Sequence, residues 1–149
     1  MKDRIPFRLS RYFILISESY RRYVRKQLEG TGLGLSEYPI LQVLFNCTEG
    51  DGDGLSQAFI ADAMERDPAL ITRGVKKLSE KKLVEVSRDE NNASKHVVRL
   101  TPAGLSAAQN VNEVIASWEN AAWSCLDGQD SKDFESALKK IKNMDVGDV

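Results

Sequence analysis

The spacing of apolar residues predicts a chain that is mostly helical. The first long segment, RLSRYFILISESYRRYVRKQL, repeats apolar side chains every three or four positions, which predicts a helix over about residues 7–29. The glycines of GTGLG end it. A second helix over LSEYPILQVLFNC is expected to begin at Ser36 and to turn Leu41, Leu44 and Phe45 inward.

A short helix is predicted after the turn-rich connector TEGDGDG. Its segment, LSQAFIADAM, has Ser56 as the expected N-cap. Its predicted apolar face consists of Phe59, Ile60, Ala63 and Met64. The residues ERDP then break the helix, so that a tight turn leads into the next one.

The next helix, DPALITRGVKKLSEKKLVE, has two unlike sides. Asp67 is a suitable N-cap and Pro68 suits the first helical position, and the helix is expected to end near Lys82. One side collects Leu70, Ile71, Gly74, Val75 and Leu78. The other collects Ala69, Thr72, Arg73, Lys76 and Glu80, with Lys77 at its edge. This second side is either a solvated face or one shaped for a groove of DNA, with first-turn N–H groups free to face phosphate.

The remaining chain predicts a β-hairpin and two more helices. LVEVS and HVVRLT have the composition of strands, and the polar RDENNASK between them is a turn. A long helix is expected from Thr101 to about Leu126, with Thr101 as its cap and Pro102 opening it. The last helix, SKDFESALKKIKNM, places Phe134, Leu138, Ile141 and Met144 on one side.

This order of elements predicts a mainly α protein with a small β-hairpin wing, a winged helix-turn-helix. We expect one domain over residues 1–149, with a DNA-binding lobe at 35–101 and dimerisation helices at 1–34 and 102–149. Helices of about 22 and 25 residues span roughly 33–38 Å, which is longer than a lobe of about 65 residues can cover. Their apolar stripes would be left exposed in a monomer, so a homodimer is expected.

Composition changes this picture little, but charge adds to it. Hydrophobic residues make up 42% and charged residues 29% of 149 residues, as in globular domains. No membrane span or secretory signal is recognised, so a cytoplasmic protein is expected. The net charge of −1 conceals segments of +5 (residues 1–30), −6 (31–65), +4 (66–99) and −4 (100–149). A basic contact surface can therefore exist on an acidic chain.

The sequence lacks the residue arrangements that are typical of catalytic or metal-binding sites. Its single histidine and its two cysteines, Cys47 and Cys125, show no metal-ligand spacing, so we expect neither metal nor cofactor. Both cysteines lie in apolar helical patterns and are expected in the core, although a redox role stays open. There is no nucleophile–base pair or phosphate-cradling glycine motif, so an enzyme is not expected.

Four segments resemble the multiple-antibiotic-resistance regulator (MarR) family: LSEYPILQVL, LSQAFIADAM, DPALITRGVKKLSEKKLVE and VVRLTPAGLSAA. The resemblance covers about residues 8–145 and is most specific in TRGVKKLSEKKLVE and LTPAG. It implies a transcriptional regulator, in most cases a repressor, that forms a homodimer through its first and last two helices. Each protomer would offer a winged helix to half of a palindromic operator, and small phenolic or other effectors would bind between the dimer region and that lobe.

Two departures from the family concern the wing. Asn92-Ala93-Ser94 stands where the family carries an Asp-Arg-Arg stretch, and Lys82 stands where it commonly has glycine. Arg88, Lys95 and His96 are then the bases left near the hairpin. We expect weaker or differently selected DNA binding, and a winged-helix module for protein interaction without specific DNA binding is the alternative function.

The candidate DNA-binding residues lie on three elements. We expect Thr72 and Arg73 to read bases and Gln57, Lys76 and Lys77 to contact phosphate. The full set is Ser56, Gln57, Ala69, Thr72, Arg73, Lys76, Lys77, Arg88 and Lys95. Ser56 and Gln57 could instead only cap their helix, and Arg88 could be a solvated charge at a strand end.

Several aromatic and basic side chains outside the candidate DNA-binding set can be interpreted in two ways. Tyr12, Tyr20 and Tyr23 are expected in the dimer core and Tyr38 beside the first two helices. Tyr12 and Tyr38 are also candidates for binding a small aromatic or phenolic effector. Trp118 and Trp123 are expected in the core or interface. The bases Arg21, Arg22, Arg25 and Lys26 either add to the DNA-facing potential or offset the carboxylates of residues 49–65.

Overall fold

The predicted helices and hairpin are present in the structure, a computed structural model that describes residues 8–48, 54–92 and 95–147. The chain divides into two compact units, one ending at Ile115 and the other beginning at Ala116. The elements in chain order are α1 (Arg8–Gln27), α2 (Tyr38–Cys47), β1 (Leu55–Ser56), α3 (Gln57–Met64), α4 (Pro68–Glu80), β2 (Val84–Arg88), β3 (His96–Leu100), α5 (Pro102–Trp123) and α6 (Gly128–Lys142). This is the mainly α winged helix that the sequence predicts.

The wing includes a short strand that the sequence did not reveal. In the described ranges the antiparallel strands lie in the order β1-β3-β2, with Leu55 and Val86 both opposite Val98. Because β3 is the central strand, Val98 is fully buried. A strand of two residues is too short to show an alternating pattern, which is why β1 escaped prediction.

Two hydrophobic clusters hold the first unit together. The larger joins α2, α3, α4 and the sheet, and it includes Ile40, Leu41, Leu44, Ile60, Ile71, Val75, Leu78, Val84 and Val98. The smaller joins α1, α2 and α5 through Val24, Leu28, Tyr38, Val111 and Ile115. Leu41 and Leu44 are buried as predicted, and Phe45 is half-buried against the larger cluster.

Three of the four predicted helix caps are confirmed. Ser56 Oγ accepts a hydrogen bond from the Phe59 N–H (3.1 Å), and Asp67 Oδ1 accepts one from the Ala69 N–H (2.7 Å). Thr101 Oγ1 accepts one from the Gly104 N–H (3.0 Å).

The predicted cap of α2 is wrong, because Glu37 rather than Ser36 is its N-cap residue. The Glu37 N–H is hydrogen-bonded to the Gly34 carbonyl (3.1 Å), so Ser36 lies inside a turn that precedes the helix.

The predicted buried faces of α3 and α4 need correction. Phe59 is 48% exposed and Ala63 is exposed, whereas Ile60 and Ala61 are buried. The eight-residue α3 buries only a narrow stripe, and residues 59 and 63, which are four apart, share its outer side. Leu70, expected on the buried side of α4, is 44% exposed at the edge of that side.

Both cysteines are exposed, so the prediction that they lie in the core is wrong. Cys47 is the last residue of α2. α5 ends at Trp123 rather than at about Leu126, and Cys125 follows its end. Cys47 therefore lies at the last position of its helix, and Cys125 lies beyond the end of the helix predicted to contain it.

The end of α4 carries an unusual backbone conformation at Lys82, whose φ is 60°. The Lys82 N–H bonds the Ser79 carbonyl (2.9 Å) and the Leu83 N–H bonds the Leu78 carbonyl (3.0 Å). These two bonds form a Schellman cap, in which the left-handed position is usually glycine. The departure at Lys82 therefore places a strained residue in an otherwise ordinary cap.

The start of α5 is bonded to the residues that follow α4. The Thr101 hydroxyl donates to the Lys82 carbonyl (2.7 Å), and the Thr101 N–H donates to the Leu83 carbonyl (3.1 Å). Gly104 packs directly against this carbonyl, because a Cβ built on Gly104 would lie 1.8 Å from the Leu83 oxygen. The glycine of LTPAG thus lets α5 lie against the chain that enters the wing.

Apolar side chains remain exposed on the first half of α1. They are Leu9, Tyr12, Phe13, Ile14, Leu15 and Ile16, each 40–61% exposed. No helix within the described ranges is both long enough and apolar enough to cross a bilayer. This exposed group includes the first part of the apolar stripe predicted on the first helix. Val24 and Leu28, later in the same stripe, are buried.

The second unit contains the end of α5 and the whole of α6. Asp127 caps α6, its Oδ1 accepting from the Asp130 N–H (2.7 Å). Trp123 and Phe134 form an edge-to-face pair with ring centroids 6.3 Å apart. On the predicted apolar side of α6, Leu138 and Ile141 are half-buried, whereas Phe134 and Met144 are exposed.

Candidate DNA interface

The outer side of α4 is the polar face that the sequence predicts. Its inner side buries Ile71, Gly74, Val75 and Leu78. Gly74 allows close packing on α2, because a Cβ at this position would lie 2.5 Å from the Cδ1 atom of Ile40. All residues predicted on the outer side are exposed, namely Ala69, Thr72, Arg73, Lys76, Lys77 and Glu80.

The cations of this face are available to an outside partner. Within the described ranges, the side chains of Arg73, Lys76 and Lys77 form no hydrogen bond and no ion pair. Glu80 is the carboxylate that α4 carries among its exposed residues. Three unpaired cations within five residues of one helix suit the phosphates and base edges of a duplex groove.

The structure brings together two candidate residues from different helices. Thr72 Oγ1 lies 3.0 Å from Gln57 Oε1 and 3.0 Å from the Pro68 carbonyl oxygen. Both oxygens are acceptors and the hydroxyl has one proton, so Thr72 donates to one of them at a time, and the bond to Gln57 links the first residue of α3 to α4. Gln57 and Thr72 therefore form one polar surface across the turn between the two helices.

The first turn of α4 differs from expectation. The Ala69 N–H donates to the Asp67 carboxylate, and the Leu70 N–H donates to the Asp67 carbonyl (3.0 Å). The expectation that these N–H groups are free to face phosphate is therefore wrong, since the N-cap residue satisfies both. Contact with DNA at this end would depend on side chains and on the small size of Ala69.

The wing candidates lie at the tip of the hairpin. Arg88 and Lys95 are exposed, Arg88 pairs in register with His96, and the Asp89 N–H donates to the Lys95 carbonyl (2.8 Å). Of the departing residues Asn92-Ala93-Ser94, the last two lie outside the described ranges. The hairpin is also braced across its strands, because Arg99 Nη1 donates to Ser87 Oγ (2.6 Å).

The bases of α1 form a separate exposed group. Arg21, Arg22 and Arg25 line a shallow depression together with Glu18, and Lys26 follows them. None of these four bases is paired with a carboxylate of the described ranges. Residues 49–53, which carry three of the acids considered as partners, lie outside those ranges, so both interpretations of this group stay open.

The two tyrosines considered for effector binding are in different surroundings. Tyr38 is buried and its hydroxyl donates to the Tyr20 hydroxyl (3.2 Å). Tyr12 lies on the exposed half of α1 and accepts a hydrogen bond from Arg8 Nε (3.2 Å). Tyr20 and Tyr23 are half-buried against the cluster that contains Tyr38.

One ionic contact beside α4 was not foreseen from the sequence. Lys81, at the C-cap of α4, pairs with Glu37, at the N-cap of α2. The signal in the sequence was a lone acid within the apolar segment LSEYPIL. That signal identifies a buried carboxylate without identifying its partner, which is 44 positions away.

The fold and this surface define a winged helix-turn-helix protein with the element order of MarR-type regulators. Among solved structures, the MepR–DNA complex of S. aureus is similar over 89% of this chain and 94% of its own, with 22% identity and a TM-score of 0.81. A MarR transcriptional regulator from Methanosarcina mazei Go1 is similar over 89% of this chain and 92% of its own (22% identity, TM-score 0.76). PcaV from Streptomyces coelicolor, in complex with its natural ligand, covers 93% and 92% (19% identity, TM-score 0.75).

Two curated proteins are similar in sequence. The HTH-type transcriptional regulator BilQ of Clostridium symbiosum is 24% identical over 132 residues, 87% of this chain and 87% of its own. A putative transcriptional regulatory protein for the hcr operon of Thauera aromatica is 24% identical over 127 residues, 85% of this chain and 74% of its own. No family model matches the chain. The resemblance to the MarR family is confirmed by these neighbours at the level of the fold, and the named relatives are regulators rather than enzymes.

Proposed function

We propose that this protein is a sequence-specific regulator of transcription that binds double-stranded DNA through the outer face of α4. The observation that carries the proposal is the exposed row of Arg73, Lys76 and Lys77, which has no pairing partner among the residues that the structure describes. In a winged helix-turn-helix the second helix of the motif enters the major groove, and here that helix is α4. The named relatives, which are transcriptional regulators, and the DNA complex of MepR support this function.

Within this proposal each candidate residue has a role that its surroundings permit. Thr72 and Arg73 read bases, Gln57, Lys76 and Lys77 contact phosphate, and Ala69 lets the helix approach closely. The Ser56 oxygen caps α3 as an acceptor, but its hydroxyl proton can still be donated to a phosphate. Arg88 and Lys95 add contacts from the wing.

The protein acts in this proposal as a homodimer that recognises a palindromic operator. Exposed apolar side chains on α1, and separately those on α6, leave apolar area that a second copy would cover. The domain division carries over: residues 35–101 bind DNA, and residues 1–34 and 102–149 form the dimer.

Repression relieved by a small molecule is the mode of regulation that we propose. The structure of PcaV with its natural ligand and that of MepR with ethidium bromide support an effector that is a small organic molecule. Tyr38 and Tyr12 remain the residues proposed to meet an aromatic or phenolic effector.

Replacing Arg73 with alanine tests the assignment of α4. We expect the affinity for the cognate site to fall about 5- to 150-fold, equivalent to ~1–3 kcal/mol, because a guanidinium contact to a base edge is lost. Lys132→Ala, at an exposed lysine of α6, is the matched control and should leave affinity unchanged. Titrations at one fixed salt concentration measure both, and parental affinity in Arg73→Ala would show that Arg73 does not read DNA.

The salt dependence of binding separates this function from that of a protein-interaction module. Phosphate contacts make affinity fall steeply as salt rises, and Lys76→Ala should reduce the slope by about one. If the affinity for duplex DNA did not change with salt concentration, the alternative function, a protein-interaction module, would be favoured.

A further inference from the structure

We propose that Glu37 and Lys81 are positioning residues, which fix the end of α4 to the connector between α1 and α2 and thereby set how α4 meets the operator. The inference rests on the proposed function, since it concerns how well the same face of α4 is held. Neither residue belongs to the candidate DNA-contact set.

The contact joins distant parts of the chain at one atom. Lys81 Nζ lies 2.5 Å from Glu37 Oε2, and it also donates to the carbonyl oxygen of Gly32. The Glu37 side chain is only 6% exposed, whereas that of Lys81 is 36% exposed. The ammonium therefore closes a bridge between the connector and the first residue after α4.

The carboxylate of Glu37 is committed to this bridge rather than to its own helix. Glu37 occupies the N-cap position of α2 but makes no side-chain capping bond. A Cβ on Gly34 would lie 3.3 Å from Glu37 Oε1, so the connector packs closely against the other carboxylate oxygen. The side chain thus lies between the connector backbone and Lys81.

The stability of the fold alone does not explain an ion pair with a buried carboxylate at this position. Removing a carboxylate from water is costly, and a pair of apolar residues often stabilises a fold as well or better. What an ion pair adds is direction, because Lys81 must meet two acceptors at once. Apolar burial, by contrast, is non-directional.

The bridge lies beyond the last buried residue of α4. Leu78 is the last buried residue of α4, and the residues from Ser79 to Lys82 are exposed. Lys81 stands one helical turn after Lys77, so holding Lys81 restrains the rotation of the outer face about the helix axis. Base-reading contacts such as that proposed for Arg73 require exact placement, whereas phosphate contacts tolerate small shifts.

The test compares specific with non-specific binding in folded variants. Lys81→Met removes the ammonium and keeps most of the stem, and Glu37→Gln removes the charge and keeps the shape. We expect each to lower the ratio of operator affinity to random-duplex affinity about tenfold or more. For Lys81→Met, the affinity for random duplex and its salt slope should match those of Lys82→Met, the neighbouring control that loses the same positive charge. The double variant should be no worse than either single variant, because both remove one bridge.

Each outcome decides the proposal. Rescue of the ratio by Lys81→Arg, which can still pair with Glu37, supports a positioning role. An unchanged ratio in folded Glu37→Gln and Lys81→Met overturns it, and if Lys81→Met does not fold, Glu37→Gln with an unchanged ratio overturns it alone. If the parent shows no preference for any sequence, both the proposed function and the positioning role are wrong. If the parent shows a preference and the variants retain it, only the positioning role is wrong.

Discussion

Replacing Gly104 with alanine is expected to destabilise the folded chain by about 3 kcal/mol or more. The added methyl group would lie 1.8 Å from the Leu83 carbonyl oxygen and 2.8 Å from the Leu83 carbonyl carbon. These are backbone atoms that cannot rotate away, unlike the tip of Ile40 that faces Gly74. Relief would require α5 to move off the chain entering β2, which breaks the Thr101 bonds to Lys82 and Leu83.

Urea unfolding at one fixed protein concentration measures this effect. Gly128→Ala is the matched control, because among the described residues no atom outside its chain neighbours and its own helix backbone lies within 4 Å of a Cβ at that position, and alanine favours a helix. We expect Gly128→Ala to unfold at the parental midpoint or slightly above it. Equal midpoints for Gly104→Ala and the parent would mean that α5 does not pack on Leu83 as described.

A glutamate in place of Leu15 is expected to convert the protein to monomers and to lower its affinity for the operator at least about 100-fold. Leu15 lies within the exposed apolar half of α1, which a second copy is proposed to cover. A charge cannot be buried there without a partner, and a monomer engages only one half-site. Gln27→Glu places the same charge at the exposed end of α1 and should remain a dimer.

Sedimentation equilibrium and a DNA titration on the same samples check this prediction. If Leu15→Glu stays dimeric and binds the operator with parental affinity, the two copies associate through a surface that excludes this half of α1.

The parts of the fold that the sequence predicted are those with a clear local period. The 3.6-residue repeat placed Ile71, Val75 and Leu78 on the buried side of α4, and Arg73 and Lys76 on the other. Cap residues and strand alternation gave the start of α4 and the hairpin in the same way. The polar outer face of α4 could therefore be predicted from the sequence alone.

Short and terminal features were predicted less well, for physical reasons. The eight residues of α3 allow more than one apolar stripe, so the pattern predicts Phe59 and Ala63 on the buried side although both are exposed. Cys47 and Cys125 continue apolar patterns beyond the point at which the core ends. The repeat of apolar residues in one segment does not show where the elements that would cover it end.

The Glu37–Lys81 bridge belongs to a third group, contacts that depend on tertiary structure alone. Its partners are 44 positions apart, and neither local pattern names the other. The absence of ion pairs at Arg73, Lys76 and Lys77 within the described ranges is likewise a fact about three-dimensional neighbours. The sequence predicts that these side chains share one face of α4, but only the structure shows that no described residue pairs with them.

The most direct measurement selects the fragments that the parental protein retains from a pool of random duplexes, at a fixed salt concentration. If two copies each insert an α4 into the major groove, the enriched sequences should share a two-fold symmetric site with half-sites centred about 10 base pairs apart, one helical turn. A pool that shows no enriched sequence, or a single asymmetric half-site held by a stable monomer, would contradict that arrangement.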